Sequence, residues 1–227
     1  MKPLLRTFVR GITGLLLATA ASMGSADSDL CAPFKQGVVD QSVVASMLAS
    51  AKNGYLYRIQ PSLSQVRFCV DSPVGRVEGR FKEFKGGLTF VPTITAKGDQ
   101  QAMVMVDTRS LETGTPFTES MLKGEQFFDV DKYPNMLFVS RHFRWVSSSE
   151  AVLIGDLTLH GVTREVGLHV QLISKDSAGS PQSGERIWIN ASTLISRKEF
   201  GLDALSPMVS DLVSLCMRVE AVRFHSI

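Results

Sequence analysis

The chain has 227 residues, enough for one domain or two small ones. It is 44% hydrophobic and 20% charged, which excludes both a disordered chain and a bundle of membrane-spanning helices. Its formal net charge of +2 arises from 24 basic and 22 acidic residues. This near balance of charges argues against nucleic acid as the partner.

Residues 1–26 are predicted to form a secretory signal peptide. Three basic residues lie near its start, an apolar core follows at positions 12–21, and small residues at 24–26 form a cleavage site. The core is too short to span a bilayer, which takes about 20 residues, so we expect no transmembrane segment in the mature chain. Export would make the protein periplasmic. Cleavage removes the three bases and takes the formal charge from +2 to about −1.

Three cysteines remain after this cleavage: Cys31, Cys69 and Cys216. An oxidising compartment permits one disulfide with one thiol left over. A bond from Cys31 to either of the other two is preferred, and a Cys69–Cys216 bond between strands is the alternative. The sequence contains no CxxC motif, so neither a redox pair nor a zinc site is predicted.

The next predicted element is an amphipathic helix over residues 38–52. Apolar residues recur at four-residue steps from Val39 to Ala51, and an Asn-Gly pair ends the helix. This helix forms much of an N-terminal helical extension, residues 27–54. A β-barrel domain is predicted to follow it over residues 55–227.

The remainder of the chain alternates polar and apolar residues with a period of two, or breaks at turns. Strands are predicted over residues 56–70, 75–91, 101–109, 136–146, 151–160, 164–174, 185–196 and 211–224. Eight strands at hairpin spacing favour a mainly β fold, a closed antiparallel up-and-down barrel, because closure removes the sheet edges. The apolar face of each strand is predicted to point inward and the polar face, which includes Cys69 and Cys216, outward.

A segment over residues 110–135 interrupts the strands, with short helical patterns and no strand pattern. It carries more apolar side chains than a solvated loop would, and a long insertion of this kind is usually functional or covers something. Two interpretations stay open. The segment is either a plug that fills one end of the barrel or a lid over a ligand.

Catalytic and metal-binding patterns are weak in this sequence. The histidines lie at positions 142, 160, 169 and 225, without the spacing of a metal-binding pair. His160 precedes a glycine and is predicted to hydrogen-bond within a hairpin turn. Asp129 and Asp131 are predicted to form a turn, and residues 197–199 a solvated turn. We predict no catalytic residues, no metal site and no enzymatic activity.

Six sequence blocks, in order along the chain, match a known pattern. They are SLSQVRFCV (62–70), GRFKEFKGGLTF (79–90), VDTRSLETG (106–114), MLKGEQFFDVDKYPNMLFVS (121–140), GDLTLHGVTREVGLHV (155–170) and SRKEFGL (196–202). On these blocks the chain resembles the YceI-like family of lipocalin-like, polyisoprenoid-binding bacterial exported proteins. Gln60 and Leu63 depart from the family pattern, which usually has Asp and His in this block.

The resemblance implies a periplasmic binding or carrier protein. Relatives hold a long isoprenoid chain, such as a quinone or polyprenol tail, in the lumen of a lipocalin-like eight-stranded barrel. No cofactor is expected beyond such a bound lipid. Members of the family can pair, which leaves a homodimer open. Since a barrel of eight strands can hold one ligand or be filled by its own side chains, a non-enzymatic structural or interaction module with a filled core is the alternative.

The candidate ligand contacts are strand residues that the alternation predicts to face inward, together with apolar residues of the insertion. They are Phe68, Phe81, Leu88, Met103, Met105, Phe117, Leu122, Phe127, Phe128, Met136, Phe138, Leu157, Leu159, Ile189 and Met217. A long apolar tail needs a deep dry tunnel, and flexible methionine side chains adapt easily to such a chain.

Overall fold

Strands dominate the computed structural model, which describes residues 41–53, 55–90, 100–173 and 185–224. Two helices occur in these ranges, α1 (Gln41–Lys52) and α2 (Pro116–Lys123). The strands are β1 (Leu56–Ile59), β2 (Gln65–Ser72), β3 (Gly75–Phe81), β4 (Phe84–Thr89), β5 (Ala102–Asp107), β6 (Leu111–Thr113), β7 (Asn135–Trp145), β8 (Glu150–Leu159), β9 (Val162–Leu172), β10 (Arg186–Ser196) and β11 (Leu212–Arg223). The signal peptide and Cys31 lie outside the described residues.

The strands form one antiparallel sheet in the order β1-β4-β5-β7-β8-β9-β10-β11-β2-β3-β6, and a further pairing of β1 with β11 closes it. β1 and β2 are two halves of one predicted strand, separated by a 3₁₀ turn at Pro61–Leu63. β3 and β4 are likewise halves of another. With each pair counted once and the short β6 left aside, the closed eight-stranded antiparallel barrel predicted from the sequence is confirmed.

Ser64 holds the bend between β1 and β2. Its side chain is buried, and its Oγ accepts a hydrogen bond from the Glu220 amide at 2.9 Å. The same hydroxyl donates to the Glu220 carbonyl at 3.3 Å. One serine thus satisfies both backbone groups of a β11 residue at the point where the opposing strand breaks, so the barrel stays closed across the bend.

The predicted alternation of faces holds on most strands. On β11, Leu215 and Met217 face the interior. Cys216 and Arg218, which alternate with them, are exposed. Charged side chains pair along the outer wall, as Arg141 does with Asp156 at 2.5 Å. Apolar side chains therefore collect in the lumen, and most charged side chains lie on the outside of the barrel.

Helix α1 packs on the outer wall of the barrel. Its buried residues Val44 and Met47 belong to a cluster that also holds Met103 of β5 and Leu137 of β7. This cluster is separate from the larger one in the lumen. The helix matches the predicted one from position 41 onward, and residues 38–40 lie outside the described ranges. No helix in the described ranges is long and apolar enough to cross a membrane.

The insertion between β5 and β7 contains one strand that the pattern missed. Leu111–Thr113 forms β6 and pairs with β3, so the prediction of no strand over residues 110–135 is wrong at this point. Helix α2 follows, with Thr115 as its N-cap: the Thr115 Oγ1 accepts from the Thr118 amide at 3.2 Å. A proline at the first helical position suits this start, because its missing amide would have no partner there.

Cys69 and Cys216 lie on the outer faces of neighbouring strands, as predicted, and both are free thiols. Cys69 is opposite Ser214, and Cys216 is opposite Arg67, so the two cysteines are diagonal neighbours. The alternative Cys69–Cys216 disulfide is therefore not present in the structure. A bond from Cys31 falls outside the described residues and stays a prediction.

Candidate ligand-binding cavity

A cavity of about 260 Å³ occupies the barrel lumen. Its walls come from the inner faces of the barrel strands and from two connecting segments, residues 116–134 and 197–211. The lining is almost entirely apolar, and no Asp, Glu, Lys or His of the described residues takes part in it. The side chains of the barrel therefore do not fill its interior.

Most of the candidate ligand contacts line this cavity. They are Phe68, Phe81, Leu88, Leu122, Phe127, Phe128, Met136, Phe138, Leu157, Leu159, Ile189 and Met217. The structure brings these residues together around one space. That they contact a ligand stays a prediction.

The orientation predicted for Met103 and Met105 is wrong. Both side chains point outward into the cluster beneath α1, and Met103 is only 1% exposed there. Ala102, Val104 and Val106 line the cavity instead. Strand β5 is apolar on both faces because one covers the lumen and the other carries a helix, so period-two alternation could not tell inside from outside.

Phe117 is also misplaced in the sequence prediction, because its side chain is 79% exposed. Helix α2 is short, and only its C-terminal turn, with Met121 and Leu122, reaches the lumen. The first-turn Phe117 lies beyond the rim of the barrel.

One end of the cavity, which we call the plugged end, is closed by residues 116–134 and 197–211. Phe128 of the first segment packs against two barrel residues, with ring centroids 5.8 Å from Phe68 and 5.7 Å from Phe81. Gly79 leaves room for this cluster, since a Cβ there would lie 2.3 Å from the Phe68 ring. The packing agrees with the plug interpretation of the insertion.

A contact at the β8–β9 turn ties both segments of the plugged end to the barrel. The His160 ring lies 4.5 Å from the Tyr133 ring, and its Nδ1 is 3.3 Å from the Phe200 carbonyl oxygen. Gly161 follows with φ +74, and a Cβ there would lie 2.6 Å from Tyr133. His160 therefore bonds to another loop and not to its own hairpin, and only glycine fits beside it.

Arg197 corrects the prediction of a solvated turn at residues 197–199. It is only 6% exposed and lines the cavity. Its guanidinium donates to the backbone carbonyls of Ser210 (2.9 Å), Ala204 (2.8 Å), Val209 (3.0 Å) and Leu202. One buried side chain thus organises the whole β10–β11 connection. An alternation pattern gives no signal for such a role, because the acceptors are backbone atoms of an irregular loop.

The opposite end of the cavity, which we call the tryptophan end, is lined by Phe90, Gln100 and Phe143. Trp145 packs on the two phenylalanines but does not itself line the cavity. The Trp145 ring lies edge-on to Phe90 at 5.9 Å and to Phe143 at 5.1 Å. Gln100 is 7% exposed and lines the cavity. Sequence reasoning missed Phe143 because a β-bulge between Ser140 and His142 reverses the alternation that places Met136 and Phe138 inward.

The carboxylates whose pKa is lowered lie outside the cavity lining. Hydrogen bonds from Lys82 and Arg80 lower the pKa of Glu112. A hydrogen bond from Arg109 likewise lowers the pKa of Asp107. The described residues contain no group of His, Cys, Asp or Glu that could hold a metal ion. The almost entirely apolar lining is suited to an apolar molecule.

Comparison with known proteins agrees with this geometry. The family model for the YceI-like domain matches residues 57–221. The chain belongs to the YceI-like family. A UPF0312 protein of Serratia proteamaculans is 34% identical over 146 residues, which cover 64% of this chain and 73% of the relative. The division into signal peptide, helical extension and barrel domain stays a prediction.

Solved structures share the YceI-like fold. BcnA of Burkholderia cenocepacia matches with a TM-score of 0.64 at 22% identity, covering 72% of this chain and 99% of BcnA. A structure described as a polyisoprenoid binding domain from Saccharophagus degradans matches with a TM-score of 0.53 at 17% identity, covering 74% of this chain and 98% of that domain. At these identities the similarity establishes the fold.

The two departures from the YceI-like pattern lie away from the cavity. Gln60 precedes the 3₁₀ turn between β1 and β2, and Leu63 ends that turn with 54% of its surface exposed. Neither lines the lumen. The substitutions therefore leave the apolar walls unchanged.

Proposed function

We propose that this YceI-like barrel binds a long-chain isoprenoid, or another lipid with a long apolar tail, and carries it through the periplasm. The observation that carries the proposal is the unfilled apolar lumen of about 260 Å³. Such a space exceeds the volume of several waters, yet its walls offer almost no hydrogen-bond partners to hold them. A hydrocarbon chain gains about 0.8 kcal/mol for each CH₂ that it buries there.

One finding and one prediction support this proposal. The Saccharophagus degradans neighbour is described as binding polyisoprenoids and shares the barrel. The predicted signal peptide would deliver the protein to a compartment between two membranes, where a water-insoluble lipid needs a protein to cross water. The filled-core alternative is disfavoured by the cavity itself. That the protein lacks enzymatic activity stays a prediction, as does pairing into a homodimer.

Extraction of the purified exported protein with organic solvent, followed by mass spectrometry, tests the proposal directly. We expect a prenyl lipid in the extract, and we expect the delipidated protein to bind decylubiquinone. Absence of both would overturn the proposal.

Neighbouring residues on opposite faces of β5 provide a matched pair of variants. Val104→Phe adds bulk inside the cavity, whereas Met105→Phe adds a ring in the cluster under α1. We expect Val104→Phe to lower decylubiquinone binding and Met105→Phe to leave it unchanged. Equal effects of the two variants would show that the lumen is not the binding site.

A further inference from the structure

We propose that a lipid tail enters the lumen sideways, through a gap between β9 and β10, while exposed apolar residues beside this gap rest on the surface of a lipid bilayer. The inference rests on the proposed function. It adds the route by which the ligand reaches the lumen and the surface on which the protein receives it.

The gap lies where two neighbouring strands stop pairing. The register between β9 and β10 ends at the pair Ser192–His169. In contrast, β10 pairs with β11 along its whole length, and β8 pairs with β9 along nearly all of theirs. If the sheet continued, Leu194 would lie opposite Gly167, but no residue of β10 beyond Ser192 pairs with β9. The wall of the barrel is therefore interrupted here, toward the plugged end.

Backbone hydrogen bonding shows which groups are left open at this edge. The Ile173 amide donates to the Trp188 carbonyl at 2.8 Å, so the even-numbered residues of β10 direct their backbone groups toward β9. Leu194 shares this parity, and no residue of β9 pairs with it. On the facing strand, a Cβ at Gly167 would have no atom within 4 Å. Both edges thus border open space, and lateral passage here breaks no hydrogen bond between strands.

The inner side of the gap opens on the cavity. Four residues that flank it line the lumen, Val166 and Leu168 of β9 and Thr193 and Ile195 of β10. Three of these side chains are hydrocarbons, and the fourth carries a methyl group. A hydrocarbon tail that passes between the two strands therefore stays in contact with apolar atoms until it reaches the lumen.

Fixed contacts bound the gap at both ends. At one end the Ser192–His169 pair closes the wall. At the other end a short 3₁₀ helix, Arg197–Phe200, follows β10, and the His160 Nδ1 lies 3.3 Å from the Phe200 carbonyl oxygen. Phe200 is only 1% exposed and anchors this helix in the core. The gap is thus a window in the wall and not a frayed strand end.

Large apolar side chains are exposed beside this window. Two of them are diagonal neighbours on the outer faces of β10 and β11, and two lie in the connection that follows β10. The connection is held at the end of β10 because Arg197 donates to the Val209 carbonyl, and the Val209 amide donates to the Leu205 carbonyl at 3.0 Å. These four residues, which we call the flank patch, are Leu194, Leu205, Met208 and Leu212.

Leu205 connects the flank patch with the lumen. It lines the cavity although 44% of its surface is exposed. Its φ of +58 is a left-handed conformation that is unfavourable for a leucine, and strained residues of this kind cluster at ligand-binding sites. The apolar lining of the cavity therefore continues to the outer surface beside the window.

A lipid bilayer is the partner that suits this patch. A water-insoluble ligand resides in a bilayer before it is bound, and a window that touches the bilayer keeps the tail out of water. The exposed charges next to the patch are mixed in sign, as Lys198 and Glu199 show. We therefore expect docking to depend on apolar contact and not on anionic lipid.

A tryptophan at position 167 tests the route. Gly167 faces outward, where added atoms meet open space, so Gly167→Trp narrows the window from outside without filling the lumen. Retinol, a fluorescent isoprenoid alcohol, is the probe, and its transfer from phosphatidylcholine vesicles to the delipidated protein is followed by stopped flow. We expect Gly167→Trp to slow transfer by about fivefold or more and to keep the equilibrium affinity within about twofold, because an obstructed entrance slows entry and exit alike.

Gln171→Trp is the matched control for this variant. Gln171 is also exposed on the outer face of β9, but it lies opposite Asn190, where the wall is closed. We expect Gln171→Trp to change neither the transfer rate nor the affinity. Equal transfer rates for the two tryptophan variants would overturn the lateral route.

A second pair of variants tests the flank patch and does not depend on the folding of Gly167→Trp. Leu194→Gln combined with Met208→Gln removes apolar surface from the patch. We expect transfer from vesicles to slow by about threefold or more, and uptake of retinol added from ethanol to be unchanged. Leu63→Gln is the control, since Leu63 is 54% exposed but lies at the turn between β1 and β2. Equal transfer rates for the double variant and the control would overturn docking through the patch.

The unmodified protein provides a third measurement. Contact with the bilayer predicts a transfer rate that rises with vesicle concentration and does not require anionic phosphatidylglycerol. A rate independent of vesicle concentration would overturn the docking, because retinol would then reach the protein through water. Failure of the unmodified protein to bind retinol, whether from vesicles or from ethanol, would instead overturn the proposed function.

Discussion

The two ends of the barrel are built on different principles. The plugged end is held by directed polar contacts: Arg197 binds four carbonyls of its loop, and His160 joins Tyr133 to Phe200. The tryptophan end is an aromatic cluster in which the Trp145 N–H has no partner among the described residues. Satisfied polar groups stabilise a fold, whereas an unsatisfied buried donor lowers its stability.

This contrast bears on how a barrel with an apolar cavity keeps its fold. A cavity weakens a barrel because its walls lose packing contacts. Fixing one end with a buried guanidinium compensates for this loss, since the cation is saturated by backbone oxygens. The two ends therefore differ in how their polar groups are satisfied. Four variants test this division, from the largest expected effect to the smallest.

Arg197→Ala should have the largest effect on stability. The substitution leaves four carbonyls of the β10–β11 connection without their donor, and we expect the free energy of unfolding to fall by about 3–5 kcal/mol. Urea denaturation of the delipidated protein measures it. Lys198→Ala, at the adjacent exposed position, should change stability by less than about 0.5 kcal/mol. Similar small losses for both would show that the guanidinium does not hold this end together.

Phe128→Ala should be the next most destabilising change, at about 3 kcal/mol, because it removes the ring that packs on Phe68 and Phe81. Phe117→Ala in the same insertion removes a side chain that is 79% exposed and should cost little. Thermal unfolding followed by circular dichroism compares them. A small loss for Phe128→Ala would favour a loosely attached lid over a plug.

Gly161→Ala should destabilise by about 1–2 kcal/mol, since position 161 has φ +74 and a Cβ would lie 2.6 Å from the Tyr133 ring. Gly167→Ala is the control, because no atom lies within 4 Å of a Cβ there and its φ is not positive. We expect the control to be neutral or slightly stabilising. Equal denaturation midpoints for the two variants would contradict the tight contact at the β8–β9 turn.

Asp211→Asn should have the smallest effect, and it should depend on pH. Hydrogen bonds from Ser196 and the Lys198 amide lower the pKa of Asp211 in the folded state. A lowered pKa contributes stability above the unfolded-state pKa of about 4, and this contribution is lost as the pH falls through the folded-state value.

Because the Asp211 carboxylate is largely open to solvent screening, we expect a difference below about 1 kcal/mol at pH 7. Urea denaturation of both proteins at pH 7 and pH 3 should show the difference shrinking with acidification. A difference that grows toward pH 3 would contradict the lowered pKa.

Much of the fold could be predicted from the alternation of polar and apolar residues along the strands. The inward positions of Phe68, Phe138 and Met217 were predicted correctly because each of these strands has one polar and one apolar face. Met103 and Met105 were placed on the wrong side of β5, whose two faces are both apolar. The prediction that Arg197 is solvated was wrong. Its acceptors are carbonyls of a loop, and the sequence of that loop has no periodic pattern that would reveal them.

The sequence by itself determined the closed antiparallel barrel, its apolar lumen and its membership of a family of similar barrels, since period-two alternation and motif spacing are local properties of the chain. Tertiary structure alone decided which face of β5 lines the lumen, because that depends on where α1 packs. It also decided that Arg197 is buried and that Trp145 Nε1 has no partner among the described residues. Burial and hydrogen-bond satisfaction depend on residues that are distant in sequence, and a linear pattern cannot report them.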